Sequence, residues 1–258
     1  MGIDAVLISG AGRGIGRAIA LNLAKTGIFI LCISKSKSCT ETANEIISTG
    51  GKAEALELDI RDYEKTEKAV SDWSKKVDYK NIGLVLAAGI LGPKGPLTES
   101  SLKEWDDCHR VNVLGTLAII KSLMPLMLKN KFGRIITFAG GGAAYPNPTF
   151  PAYSETKTAM VRITENINED LKDKGDFSIV CLGPGAIETD MLKEVKRLGG
   201  VVKTTANISE PVEFVKEFLT STTCGFSGSF VHVRNNWKDY LNSKNKIEDS
   251  FWKLRRTE

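Results

Sequence analysis

Histidine is almost missing from this chain and its cysteines show no pairing: two His and five Cys stand among 258 residues. Cys32, Cys39, Cys108, Cys181 and Cys224 form no C-x-x-C pair. A zinc site is therefore not expected, no other metal site is read, and a reducing compartment, the cytoplasm, suits such thiols. Charge is not one-sided either. The 35 basic and 31 acidic residues leave a net +4 spread along the chain, which lacks the concentrated footprint of a nucleic-acid binder. No continuous apolar run is expected to span a membrane. The N-terminus carries no charged leader with an apolar core, and Val6 stands where a lipidation signal after Gly2 wants Ser or Thr. What is present is 42% hydrophobic residues, enough to bury the core of one large α/β domain.

Along the chain, short apolar runs alternate with stretches of helical periodicity. Ala5 to Ile8 reads as a strand buried on both faces, followed by Ser9-Gly10-Ala11-Gly12-Arg13-Gly14-Ile15-Gly16 and a helix with Ile15, Ala18, Ile19 and Leu23 on one face. Strand, glycine-rich turn and helix is the context of a dinucleotide fingerprint, in which the backbone approaches a pyrophosphate held at the helix N-terminus. A tight turn without a ligand would share the glycines. At the end of the second strand, Ile28 to Ile33, an acid would bind a ribose 2′-hydroxyl; this chain offers Ser34, Lys35 and Lys37, with Arg13 nearby. That cluster favours NADP(H) over NAD(H), the alternative being a solvated basic loop.

Further units follow: a helix near 40–48, a strand 53–58 with Asp59 and Ile60 at its end, and a strand 83–87 followed by Ala88-Gly89. One long helical stretch, about 101–129, carries Asn112, and a strand 133–139 leads into the Gly- and Pro-rich segment 140–152. Repeated βα units predict a doubly wound, mostly parallel Rossmann-type sheet with helices on both faces. Tyr153 and Lys157 are four apart, just over one helical turn, so both lie on one helix face. A neighbouring cation favours a phenolate, which makes the pair a candidate acid/base device.

Taken together, the glycine turn Ser9–Gly16, Asp59, Asn112 in Arg-Val-Asn-Val, Tyr153-x-x-x-Lys157 and Pro184-Gly185-Ala186-Ile187-Glu188-Thr189 resemble the short-chain dehydrogenases/reductases over about residues 4–233. The resemblance implies a sheet of about seven strands, an NAD(P)(H) cofactor and hydride exchange with a small carbonyl or alcohol substrate. It implies Tyr153 as general acid/base, Lys157 lowering its pKa and holding the nicotinamide ribose, and Asn112 anchoring a water. Gly10, Gly12, Arg13, Gly14, Ile15, Gly16, Ser34, Lys35, Asp59, Ile60, Ala87, Ala88, Gly89, Tyr153, Lys157, Pro184, Gly185, Ile187 and Thr189 would hold the cofactor, Ile187 and Thr189 at its carboxamide end. It also implies a homodimer or homotetramer through the helices around 101–130 and 153–174.

The departures matter. The family serine thirteen residues before the tyrosine is Gly140 here, and the family's Asn-Asn-Ala-Gly is Leu86-Ala87-Ala88-Gly89. A backbone N–H of Gly140-Gly141-Gly142, or Tyr145, Asn147 or Thr149, is expected to polarise the carbonyl instead. The alternative is a catalytically impaired NADP-binding sensor or scaffold. Segment 191–206, with Lys193, Lys196, Arg197 and Lys203, reads as a lid hinged at Gly199-Gly200, its cations facing solvent or an anionic substrate. Residues 1–235 are read as the Rossmann-type domain and 236–258 as its C-terminal extension, with Ile247, Phe251 and Leu254 at helical spacing and docked over the site mouth or a neighbouring subunit.

Overall fold

Every residue of strand β1 (Ala5–Ser9) is buried, as a run without polar alternation requires when both sheet faces are covered. Leu7 and Ile8 lie in different apolar layers because successive strand side chains point to opposite faces. The computed structural model describes residues 2–202, 205–248 and 252–254. Lys203 and Phe251 lie outside the described residues.

From β1 the chain runs through α1 (Gly14–Ala24), β2 (Phe29–Ser34), α2 (Ser38–Ser48), β3 (Ala53–Glu57), α3 (Tyr63–Ser74) and β4 (Ile82–Leu86). It continues through α4 (Leu102–His109), α5 (Gly115–Asn130), β5 (Phe132–Phe138), α6 (Pro151–Leu171) and β6 (Asp176–Gly183). The last section holds β7 (Ala186–Ile187), α7 (Asp190–Arg197), β8 (Thr205–Ala206), α8 (Ser209–Thr220) and β9 (Ser229–His232). Seven strands form a parallel sheet in the order β3-β2-β1-β4-β5-β6-β9, and β7 pairs with β8 in a small ribbon. The strand order reverses between β1 and β4, so their C-terminal ends open a crevice of the kind that binds ligands in such sheets.

The stretch read as one helix near 101–129 is two helices joined by a π turn, Arg110–Leu114. By length and composition alone Leu102–Asn130 would be apolar enough to cross a membrane, and its most apolar window is 56% buried inside the fold, as in a core helix. Ile119, Ile120, Leu123 and Met127 pack there with Val70 and Trp73 of α3.

The tail also differs from expectation. Among the described residues it forms a 3₁₀ turn, Trp237–Tyr240, and otherwise irregular chain. Trp237 packs edge-on against Phe214 at 4.8 Å, and Trp252 packs edge-on against Phe226 and Tyr240. The Phe230 N–H donates to the Trp252 carbonyl (2.7 Å). Leu254 is held to α6, its N–H donating to Glu165 and its carbonyl accepting from Arg162. Backbone bonds that a helix would spend internally thus go to the rim of β9 and to α6, so these contacts are with the chain's own fold.

Candidate functional site

The glycine turn brings three backbone segments closer than side chains would allow. Gly10 has φ +72°, and a Cβ on it would lie 2.9 Å from the Ala88 nitrogen. A Cβ on Gly16 would collide with the Gly10 carbonyl, so α1 sits directly on the turn. Gly16→Ala should therefore lower stability by about 1–3 kcal/mol, read as a lower urea midpoint with an unchanged slope. The first turn of α1 has no acid, and Arg13 at its N-cap makes no side-chain capping bond. The open N–H groups and positive end of α1 face the crevice, which fits a phosphate.

The crevice is a cleft of about 660 Å³. It brings together Gly10, Gly12, Arg13, Gly14, Ile15 and Gly16 from the turn, Ser34 and Lys35 after β2, Asp59 and Ile60 after β3, Ala87, Ala88 and Gly89 after β4, and Thr189 before α7. Tyr153, Lys157, Pro184, Gly185 and Ile187 are not among its lining residues. Pro184 and Gly185 lie between β6 and β7, and Ile187 is buried within β7 itself. Asp59 accepts one bond from the Arg61 N–H (3.0 Å). Thr189 also caps α7 by accepting from the Leu192 N–H, a role that coexists with its place in the cleft.

Ser36 and Ser38 also line this cleft, and sequence reading missed them. Ser38 Oγ is within 3.2 Å of Ser34 Oγ and 3.0 Å of Ser36 Oγ, and it fills the space that a side chain on Gly12 would need. The signal was present as Ser-Lys-Ser-Lys-Ser, with hydroxyls at alternate positions where an extended strand end meets a helix start.

Tyr153 and Lys157 share one face of α6, with the ammonium 5.3 Å from the phenol ring centroid. Lys157 is buried, donates to the Phe138 carbonyl (3.0 Å), and burial pulls its pKa below the usual lysine range. Tyr153 is partly buried and its phenol is pushed up to about 12, chiefly by burial, with Cys108 and Cys181 adding in the same direction. Lys157 is not among the groups that shift it in this arrangement, where the ammonium bonds to a strand carbonyl and desolvation dominates.

Asn112 sits in the π turn, a geometry often found at functional sites. Its amide nitrogen donates to the Ile90 carbonyl (2.9 Å) and Thr156 Oγ1 (3.0 Å), and its Oδ1 accepts from the Ile90 N–H (2.9 Å). The side chain therefore ties the segment after β4 to α6, leaving one lone pair of Oδ1. Gly89 lies close against that oxygen: a Cβ there would be 3.3 Å from Asn112 Oδ1 and 3.7 Å from Lys157 Nζ.

At the position of the missing serine, a Cβ on Gly140 would have the Tyr153 hydroxyl, 4.0 Å away, as its only neighbour within that range. Tyr145 is 75% exposed, which removes it as a built-in substitute. The lid cations are engaged at the surface: Lys193 with Asp190, Lys196 with Glu188 and Arg197 with Glu194. This favours the solvated-face reading over an anion-binding lid.

Residues 4–198 match the short chain dehydrogenase family. A 3-oxoacyl-[acyl-carrier-protein] reductase of Aquifex aeolicus is 30% identical over 236 residues, 88% of this chain and 94% of that protein. A short chain dehydrogenase of Pseudocercospora fijiensis is 31% identical over 188 residues, 72% of this chain and 60% of that longer protein. The solved structure of a 3-ketoacyl-ACP reductase from Sinorhizobium meliloti aligns with a TM-score of 0.77 at 28% identity, covering 88% of this chain and 96% of that one. The family match spans β1 to β6, the glycine turn and the helix bearing Tyr153 and Lys157, and the chain belongs to the short-chain dehydrogenase family of oxidoreductase enzymes.

Proposed function

We propose that this oxidoreductase uses NADP(H) and exchanges a hydride with a carbonyl or alcohol substrate, with Tyr153 as its general acid/base. The observation that carries the reading is the close approach of Gly89, which lines the cleft, to Asn112 Oδ1 and to the Lys157 ammonium on the face of α6 that carries Tyr153. When bound, the cofactor supplies or accepts the hydride. Tyr153 then gives its hydroxyl proton to the substrate oxygen as a carbonyl becomes an alcohol, and takes it back in reverse. Lys157 replenishes that proton through a water held beside Gly89 by Asn112, and its ammonium holds the nicotinamide ribose. Ile187 and Thr189 contact the carboxamide end, Pro184 and Gly185 form the turn that leads to them, and Asp59 accepts from the adenine amine.

The preference for NADP(H) rests on Ser34, Lys35, Ser36 and Ser38 with Arg13, where hydroxyls and cations stand in place of an acid. Two proteins of this fold, 24% and 22% identical, were solved with NADP in their own structures. Lys35→Ala should weaken NADPH binding about tenfold, the size of one charge-assisted bond, and leave NADH unchanged. Parallel titrations monitoring nucleotide fluorescence check this, and equal loss for both nucleotides would contradict it. The tail is proposed as part of the same domain, the cytoplasm as the location, and the faces of α4, α5 and α6 as the contacts of a homodimer or homotetramer.

A further inference from the structure

We propose that Asp190 limits how strongly the cleft favours NADPH over NADH, by competing with the cofactor's 2′-phosphate for the Arg13 guanidinium. The inference rests on the NADP(H) reading above. Arg13 and Asp190 both line the cleft. Arg13 Nη1 lies 3.5 Å from Asp190 Oδ2, the first residue of α7. The pair therefore ties the glycine turn to the start of the lid. A second tie is steric, since a Cβ on Gly14 would lie 3.3 Å from Thr189 Cγ2.

Arg13 has a second place to go. Its neighbour Gly12 packs against Ser38 and Ser34, whose hydroxyls, with Lys35, form the polar end of the cleft after β2. One guanidinium cannot serve an anion there and the Asp190 carboxylate on the α7 side at full strength together. Both partners of the pair are well exposed, 75% and 62% by side chain, so the bond is weak and exchangeable. NADPH has to break it to recruit Arg13. NADH, without the 2′-phosphate, leaves it in place. Breaking the pair is therefore a cost borne by NADPH alone, and NADPH binding also frees the first turn of α7 from the glycine turn.

Asp190 also faces Lys193, 3.9 Å away, so removing its charge frees that lysine as well. Lys193 does not line the cleft, and the added positive charge of a freed Lys193 would be felt by both nucleotides and would move both affinities together. The difference between the two nucleotides isolates Arg13.

The test is a fluorescence titration of wild type, Asp190→Asn, Arg13→Ala and the double variant with NADPH and with NADH. Asparagine is tolerated near a helix start, and the Thr189 cap is untouched, so α7 should persist. Asp190→Asn is expected to tighten NADPH by about two- to fivefold, the range of an exposed ion pair, with NADH unchanged. In the Arg13→Ala background the same substitution should leave the NADPH-to-NADH ratio as it was. The inference is overturned if Asp190→Asn weakens NADPH, shifts both nucleotides equally, leaves the ratio unchanged, or changes that ratio without Arg13. A wild type that does not prefer NADPH defeats the NADP(H) reading itself, whereas a preference that Asp190→Asn fails to increase defeats only the competition.

Discussion

Tyr153→Phe is expected to lower kcat by about 10² to 10⁴, the usual worth of a positioned acid/base, while NADPH affinity stays within about a factor of two. The ring that lies 5.3 Å from the Lys157 ammonium remains in the variant, so packing and the charge beside the cofactor are preserved and only the transferable proton is lost. A fall in kcat with unchanged affinity separates this from a structural defect. The pH dependence has a definite sign. Because the phenol is pushed up to about 12 by burial, it is protonated at neutral pH and ready to donate. Carbonyl reduction should hold level through neutral pH and fall only as pH nears that value. Alcohol oxidation needs the phenolate and should rise with pH across the alkaline range. A positive charge brought alongside the phenol shifts both limbs downward without reversing them. Steady-state rates in both directions against pH check this, and an oxidation rate that falls through the alkaline range in a folded protein would contradict it.

Gly140→Ser is expected to raise kcat for carbonyl reduction by about 10², toward the low end of what one oxyanion donor contributes. The backbone there is extended, with φ −172°, so serine fits without strain. Its Cβ would meet only the Tyr153 hydroxyl, at 4.0 Å, and its Oγ would share the substrate oxygen with that phenol. Gly140→Ala is the control: a methyl group adds volume without a donor and should give no gain. If serine gives no gain either, a donor already polarises the carbonyl, and the loop itself supplies it.

The parts of this molecule written in local patterns were legible before any coordinates. Buried runs such as Ala5–Ser9 lack alternation because both faces of a parallel sheet are covered. The glycine turn was readable because steric demands at Gly10 and Gly16 admit almost nothing else. What failed depended on distant partners. Ile247 and Leu254 have helical spacing, yet Trp252 and Leu254 bond to β9 and α6, a choice that periodicity does not encode. The π turn at Arg110–Leu114 was hidden in an unbroken helical pattern, since one extra residue in a turn leaves no compositional mark. The burial that raises the Tyr153 phenol was not legible, because spacing gives a neighbour but not its dielectric surroundings. The pairing of the lid cations, by contrast, could have been anticipated from Asp190 three residues before Lys193 and Glu194 three before Arg197.

The central claim is that the cleft above the glycine turn holds NADP(H) and serves Tyr153. A fluorescence titration of the purified wild-type protein with NADPH and NADH tests it most directly. The account predicts saturable binding of both, tighter for NADPH, with the NADPH affinity kept in Tyr153→Phe. Failure of the folded protein to bind either nucleotide would contradict it.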